Sequence, residues 1–300
     1  MMSLLPHEPR IVDAARQQVL TERCLLPELP ALRALFLHLR ASADATLAQR
    51  QPAKLGKPYP LGCCAEISLA LQEALRDLDP GRLPPGAVAG HAALARFQAA
   101  GGTSRRVWGY QRGRGMRHAL LAGTLLIDAA QDTTDATLPP VALTPFAQAG
   151  LAPVRDHRHF ALLAATQWSA HVFPNHVLPE LAPYAPLLML VPGGSVRLEA
   201  DAPYMLALAR RSDFSSSAAV LAAPPMTTAL FGAVGNVLAQ AGFDVAADAA
   251  QGKAAALDLC RQYRDAGTRA ADARHEATLT ALARANHALQ VLQVAARPAG

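Results

Sequence analysis

Tyr59-Pro60-Leu61-Gly62-Cys63-Cys64-Ala65-Glu66-Ile67-Ser68 is the stretch on which the reading of the fold turns. Prolines and a glycine end a loop over 51–62, and a helix is predicted from about Cys63 to Leu78, closed by the Asp79-Pro80-Gly81 turn. On a helical wheel, Ile67, Leu71, Leu75 and Leu78 fall within about 60° of Cys64, and Glu66, Glu73, Arg76 and Asp77 fall on the other side. Cys64 is therefore expected in the first turn, in the middle of the buried face. Cys63 is expected off that face. Free backbone N–H groups and the positive end of the helix dipole lie in that turn. Both favour a thiolate, so a lowered Cys64 pKa is expected. The competing reading is a small core residue, since free cysteine is often buried.

Downstream, Arg105-Arg106-Val107-Trp108-Gly109-Tyr110 and His118-Ala-Leu-Leu through Leu126-Ile127-Asp128 read as short antiparallel strands. Ala87-Val-Ala-Gly-His-Ala-Ala-Leu-Ala-Arg-Phe97 is read as a further strand. If the turn after His118 is Ala122-Gly123-Thr124, His118 lies directly opposite Asp128, within side-chain reach. A two-residue turn would instead set Ile127 opposite His118 and Asp128 on the far face.

The order of helix-start Cys64, strand His118 and strand-end Asp128 resembles the transglutaminase-like branch of the papain-like cysteine peptidase superfamily. There a pattern like G-x-C-x-x-x-S-x-x-L-x-x-x-L opens the helix, matched here by Gly62, Cys64, Ser68, Leu71 and Leu75. The strand pair ends in I-D-A, matched by Ile127-Asp128-Ala129. The likeness covers roughly 55–135. Ala119 stands where the family carries an aromatic residue after the His. The resemblance implies a Cys64-His118-Asp128 triad, an acyl-enzyme, and hydrolysis or acyl transfer at an amide bond of a peptide or protein. Gln51 and Tyr59 are candidates for a side chain in the oxyanion hole. An arylamine-type N-acetyltransferase is the alternative enzyme. A catalytically silent helical scaffold that binds a protein partner is the non-enzymatic alternative.

The rest of the chain sets the frame. It has 300 residues, 51% hydrophobic and 17% charged, enough to bury a full core, so wholesale disorder is excluded. The fold class expected is α+β: an N-terminal helical segment at 1–50 broken at Pro27 and Pro30, a papain-like core at 51–190, and a mainly helical extension at 191–300. The stretch 131–190 reads as irregular. The extension is expected to carry no catalytic side chain; a homodimer through its helices is one use for it. A net charge of +5 is too small over this length to argue for nucleic acid. No apolar run reaches the roughly 18 residues of a membrane span, and the N-terminus lacks the pattern of a secretory signal. Four cysteines without C-x-x-C spacing fit reduced thiols in the cytoplasm. No cofactor is expected. Asp156-His157-Arg158-His159 has H-x-H spacing that would set both rings on one side of a strand, but no further ligand set follows, so no metal is expected. Arg105, Arg106, Arg112, Arg114 and Arg117 crowd the strands before His118. They read as a solvated face or as recognition of a carboxylate-bearing substrate.

Overall fold

The computed structural model describes residues 4–199, 202–267 and 275–296. The chain divides into two compact units, His7–Pro153 and Val154–Gly300 with Met1–Pro6. The division falls at Pro153/Val154 rather than at 50 and 190. The N-terminal helices and the Cys64 region thus share one unit, and the segment from 154 to 190 belongs with the C-terminal helices.

The His7–Pro153 unit opens with α1 (Ala14–Cys24) and α2 (Leu29–Arg50), joined by a 3-10 turn at Leu26–Glu28. A two-residue hairpin, β1 (Ala53–Lys54) and β2 (Lys57–Pro58), leads to α3 (Cys64–Arg76) and α4 (Pro85–Ala99). The strands β3 (Ser104–Gln111), β4 (Gly115–Ala122), β5 (Leu125–Asp128), β6 (Ala142–Pro145) and β7 (Leu151–Ala152) form an antiparallel sheet in the order β6-β5-β4-β3-β7. The short helix α5 (Phe146–Ala149) links the last two strands.

The stretch 87–97, read as a strand, is the body of α4. Its run of alanines has the highest helix propensity available, and Pro85 sits in the first turn, where its missing N–H costs nothing. Gly90 lets α4 lie on α2: a Cβ there would come within 2.2 Å of the Ala31 carbonyl oxygen.

Alternation along the strands gives the sheet two buried faces. Ala122, Leu125 and Ile127 pack with Leu32, Leu35 and Phe36 of α2, Ile67 and Leu71 of α3 and Phe97 of α4. Val107, Ala119, Leu121 and Leu126 pack on the opposite face with Ala149 and Leu151. Trp108 is buried and pairs across strands with His118.

The C-terminal unit contains α6 (His157–Trp168), a three-stranded antiparallel sheet of β8 (His171–Pro174), β9 (Leu187–Leu190) and β10 (Val196–Leu198), and, among the described residues, five further helices. These are α7 (Ala202–Arg211), α8 (Ser215–Leu221), α9 (Thr228–Gln240), α10 (Ala249–Ala266) and α11 (His275–Leu289). The mainly helical character expected of 191–300 holds among the described residues, and Val196–Leu198 within it is the strand β10. The stretch 131–190, expected to be irregular, contains four short strands and two helices. Asp156-His157-Arg158-His159 starts a helix rather than a strand, because the Asp156 carboxylate caps the free His159 N–H at 2.7 Å. Among the described residues no helix is long and apolar enough to cross a membrane.

Candidate active site around Cys64

Cys64 is the first residue of α3, and Cys63 is its N-cap. Both thiols meet protein. Cys63, expected off the buried face, is 1% exposed and joins the helical core, because the cap residue has left helical geometry and the wheel no longer describes it. Cys64 keeps some exposure and turns to β4. Its Sγ lies 3.8 Å from the Met116 carbonyl oxygen, and the His118 backbone N–H hydrogen-bonds the sulfur.

Those backbone groups are open to Cys64 because β5 pairs with β4 only at Leu120–Ala122. Beyond that point the chain after β5 turns away, and the loop at 129–133 comes beside the start of α3. There the Gly62 N–H donates to the Thr133 carbonyl at 2.9 Å. The sulfur thus sits where two strands part.

Burial pushes the Cys64 thiol above its ordinary range, against the opposing pull of the Arg117 and Lys54 charges and the His118 N–H. The lowered pKa expected from the helix start is not observed. A helix terminus and nearby cations stabilise a thiolate by modest amounts, whereas removing the sulfur from water costs the charged form more. The Cys63 thiol is also raised, by burial and then by the Glu66 charge.

The strand register corrects the expected opposition of His118 and Asp128. The turn is Gly123-Thr124, with Ala122 paired to Leu125 and Leu120 to Ile127. Gly123 has φ +58°, which suits the first central position of a two-residue hairpin turn. The register is held from outside the hairpin: Thr21 Oγ1 of α1 accepts from the Thr124 N–H at 3.0 Å and occupies the space a Cβ on Gly123 would need. With this turn Asp128 shares a face with Leu126, hence with Leu121 and Arg117. His118 lies on the other face, toward α3.

The residue that meets Asp128 is accordingly Arg117. Its Nη2 donates to both carboxylate oxygens, at 3.1 and 2.8 Å, and Nη1 donates to Thr133 Oγ1 at 2.9 Å. The Ala130 N–H also donates to Asp128 Oδ1 at 2.9 Å. Arg117 is 1% exposed and Asp128 7%. His118, 8% exposed, lies beside Trp108, with ring centroids 6.3 Å apart, and lines a cleft against α3.

A second buried cation was not anticipated. Arg40 of α2 reaches the same loop, with Nη1 and Nη2 on the Asp132 carboxylate at 2.8 and 2.9 Å, Nε on Asp44 at 2.6 Å and Nη1 also on the Ala129 carbonyl. The sequence signal was an arginine four residues after Phe36 and four before Asp44, on the apolar stripe of α2. Tyr59, a candidate oxyanion donor, gives its hydroxyl hydrogen to Asp44. Lys54 pairs with Glu66 at 2.6 Å across the mouth of α3. Arg117 and Arg40, each tied to a carboxylate, therefore fix the loop that accepts the Gly62 N–H just before α3.

Among the described residues no group of three or more His, Cys, Asp or Glu side chains is placed to hold a metal ion. His157 and His159 lie on α6. His157 is fully buried, and its Nδ1 is 2.8 Å from Ser216 Oγ. No protein-family model, no curated protein and no solved structure matches this chain.

Proposed function

We propose that the His7–Pro153 unit is a papain-like, transglutaminase-type core that carries out thiol chemistry on an amide bond of a peptide or protein, as a hydrolase or acyltransferase. The single observation that supports this reading is the seat of Cys64: a partly exposed thiol in the first turn of α3, held against the backbone of the strand that carries His118. In this mechanism the Cys64 proton passes to the His118 imidazole as sulfur bonds to the carbonyl carbon. The leaving amine takes that proton, and water or a second amine then releases the acyl group. Asp128 does not orient the imidazole here. It anchors Arg117, whose charge favours the thiolate form of Cys64. The working unit is a Cys–His dyad beside an Arg–Asp pair.

A catalytically silent module that binds a protein partner is the second reading. It is favoured by the register, which sets a non-titrating guanidinium where a triad would present its imidazole to Asp128. Iodoacetamide alkylation of Cys64, read by mass spectrometry across pH, separates the two. An active dyad alkylates well below the pH at which a buried thiol ionises, and His118→Gln removes that low-pH reactivity. A silent module shows only the late rise of a buried thiol, unchanged in His118→Gln. Once a substrate is found, Cys64→Ala abolishes turnover and Cys63→Ala retains much of it.

A further inference from the structure

His118 faces α3, and the residue beside it on that face is Trp108 of β3, directly opposite in the register. Two backbone bonds decide what kind of pair these residues form. The Trp108 N–H donates to the His7 carbonyl at 2.7 Å, and the His118 N–H goes to the Cys64 sulfur. Both donors point away from the partner strand, so 108 and 118 are a non-hydrogen-bonded pair. Side chains approach most closely at such pairs, where the Cα atoms stand about 4.5 Å apart rather than about 5.5 Å. The two rings are buried, with centroids 6.3 Å apart and planes at 37°, within the range of an aromatic contact.

The strand that carries Trp108 is itself held on both sides of the indole. His7 takes the Trp108 N–H, and β7 pairs at Tyr110 and Gln111. Between them Gly109 lets β7 come close, since a Cβ there would stand 2.4 Å from the Ala152 carbonyl oxygen. A Cys–His dyad reacts fast only when the imidazole is kept in one orientation toward the thiol. In a triad a carboxylate supplies that restraint. Here Asp128 meets Arg117 instead, and a wide ring on a clamped strand stands across from His118. The bond that turns the His118 backbone toward Cys64 is the same one that makes the pair with Trp108 a close one.

We propose, resting on the reading of Cys64 and His118 as a dyad, that Trp108 is its positioning residue: the indole confines the His118 imidazole to the orientation that meets the Cys64 thiol. Trp108 acts through His118 and not on the sulfur itself.

Iodoacetamide alkylation of Cys64 below the pH at which a buried thiol ionises gives the first readout. Trp108→Leu should slow it about tenfold, the scale of one aromatic pair, and Trp108→Phe, which keeps a ring, should stay within about threefold of the parent. In His118→Gln, adding Trp108→Leu should change nothing further, because a residue that acts through the imidazole has no effect once the imidazole is gone. Equal slowing by Trp108→Leu in the parent and in His118→Gln would show a merely structural role and overturn the proposal, as would an unslowed Trp108→Leu. The second readout is proton NMR of the full chain and needs no reactivity. An indole fixed beside the imidazole shifts the His118 ring protons by its ring current, and these resonances are identified by their loss in His118→Gln. They should be displaced in the parent and in Trp108→Phe, and ordinary in Trp108→Leu. Displaced resonances without low-pH reactivity at Cys64 would defeat the dyad and leave the Trp108–His118 pairing standing. Ordinary resonances in the parent would overturn the pairing whatever Cys64 does.

Discussion

The two units bury polar groups in opposite ways. In His7–Pro153 the deeply buried arginines are charged and compensated: Arg117 with Asp128, and Arg40 with Asp132 and Asp44. In the C-terminal unit the buried titratable groups are held neutral. Burial pushes the Glu199 carboxyl up to about 8, despite one hydrogen bond from the Leu187 N–H at 3.2 Å. Burial pushes His157 down to about 3. His176, fully buried with Nε2 on the Leu221 carbonyl, is lowered by burial as well. Compensated charge fixes geometry, here the loop beside the start of α3, and is fragile to loss of one partner. Neutralised groups carry little geometry but make stability depend on pH.

Splitting the Arg117–Asp128 pair is the most severe way to break this contrast. Asp128→Asn should cost about 3–5 kcal/mol, because it leaves a buried guanidinium without its charge partner. Replacing both residues with apolar ones, Arg117→Met with Asp128→Leu, should recover much of that loss. Urea unfolding read by Trp108 fluorescence measures both, since each unit has one tryptophan. A single variant within experimental error of the parent would show that the pair contributes nothing.

Glu199 sharpens the other half. Its folded pKa lies above the unfolded one, so the folded state holds a proton that the unfolded chain has released between about pH 4.5 and 8. Stability of the C-terminal unit should fall as pH rises through that window, by about 1.4 kcal/mol per unit, or about 3 kcal/mol between pH 5 and 7. In Glu199→Gln that slope should vanish, with Trp168 fluorescence as the probe. A parent slope retained in the variant would assign it to another group.

His157 gives a smaller effect of opposite sense. Its folded pKa is depressed, so stability present above about pH 6.5 should be lost as pH falls toward 3. Between pH 6.5 and 5 the loss should be about 2 kcal/mol, and His157→Gln, which can still hydrogen-bond Ser216, should flatten that limb. An unchanged acid limb would remove His157 from the account.

Local pattern carried a good part of the molecule. The helical N-terminus with its break at Pro27 and Pro30, the start of α3 at the cysteine pair, the strands around His118 and the helices after residue 200 all follow from apolar periodicity, proline geometry and propensity. Each is a property of a few neighbouring residues. The helix α4 was read as a strand, although its alanines favour helix. What Gly90 does, permitting the close approach of α2, is a contact between distant parts of the chain.

The candidate site depended on what local pattern does not contain. A one-residue change of register exchanges the faces of a strand, and the register of this hairpin is held by Thr21, about a hundred residues upstream. That contact decides that Arg117 rather than His118 meets Asp128. The Cys64 thiol is set by the same kind of term: the helix start that favours a thiolate is visible in ten residues, whereas the desolvation that outweighs it comes from the whole unit closing around the sulfur. Residue order along the chain determined which groups approach Cys64. Which of them face one another, and in what state of charge, was decided only by tertiary packing, because side-chain facing and burial are sums over contacts that sequence neighbours do not make.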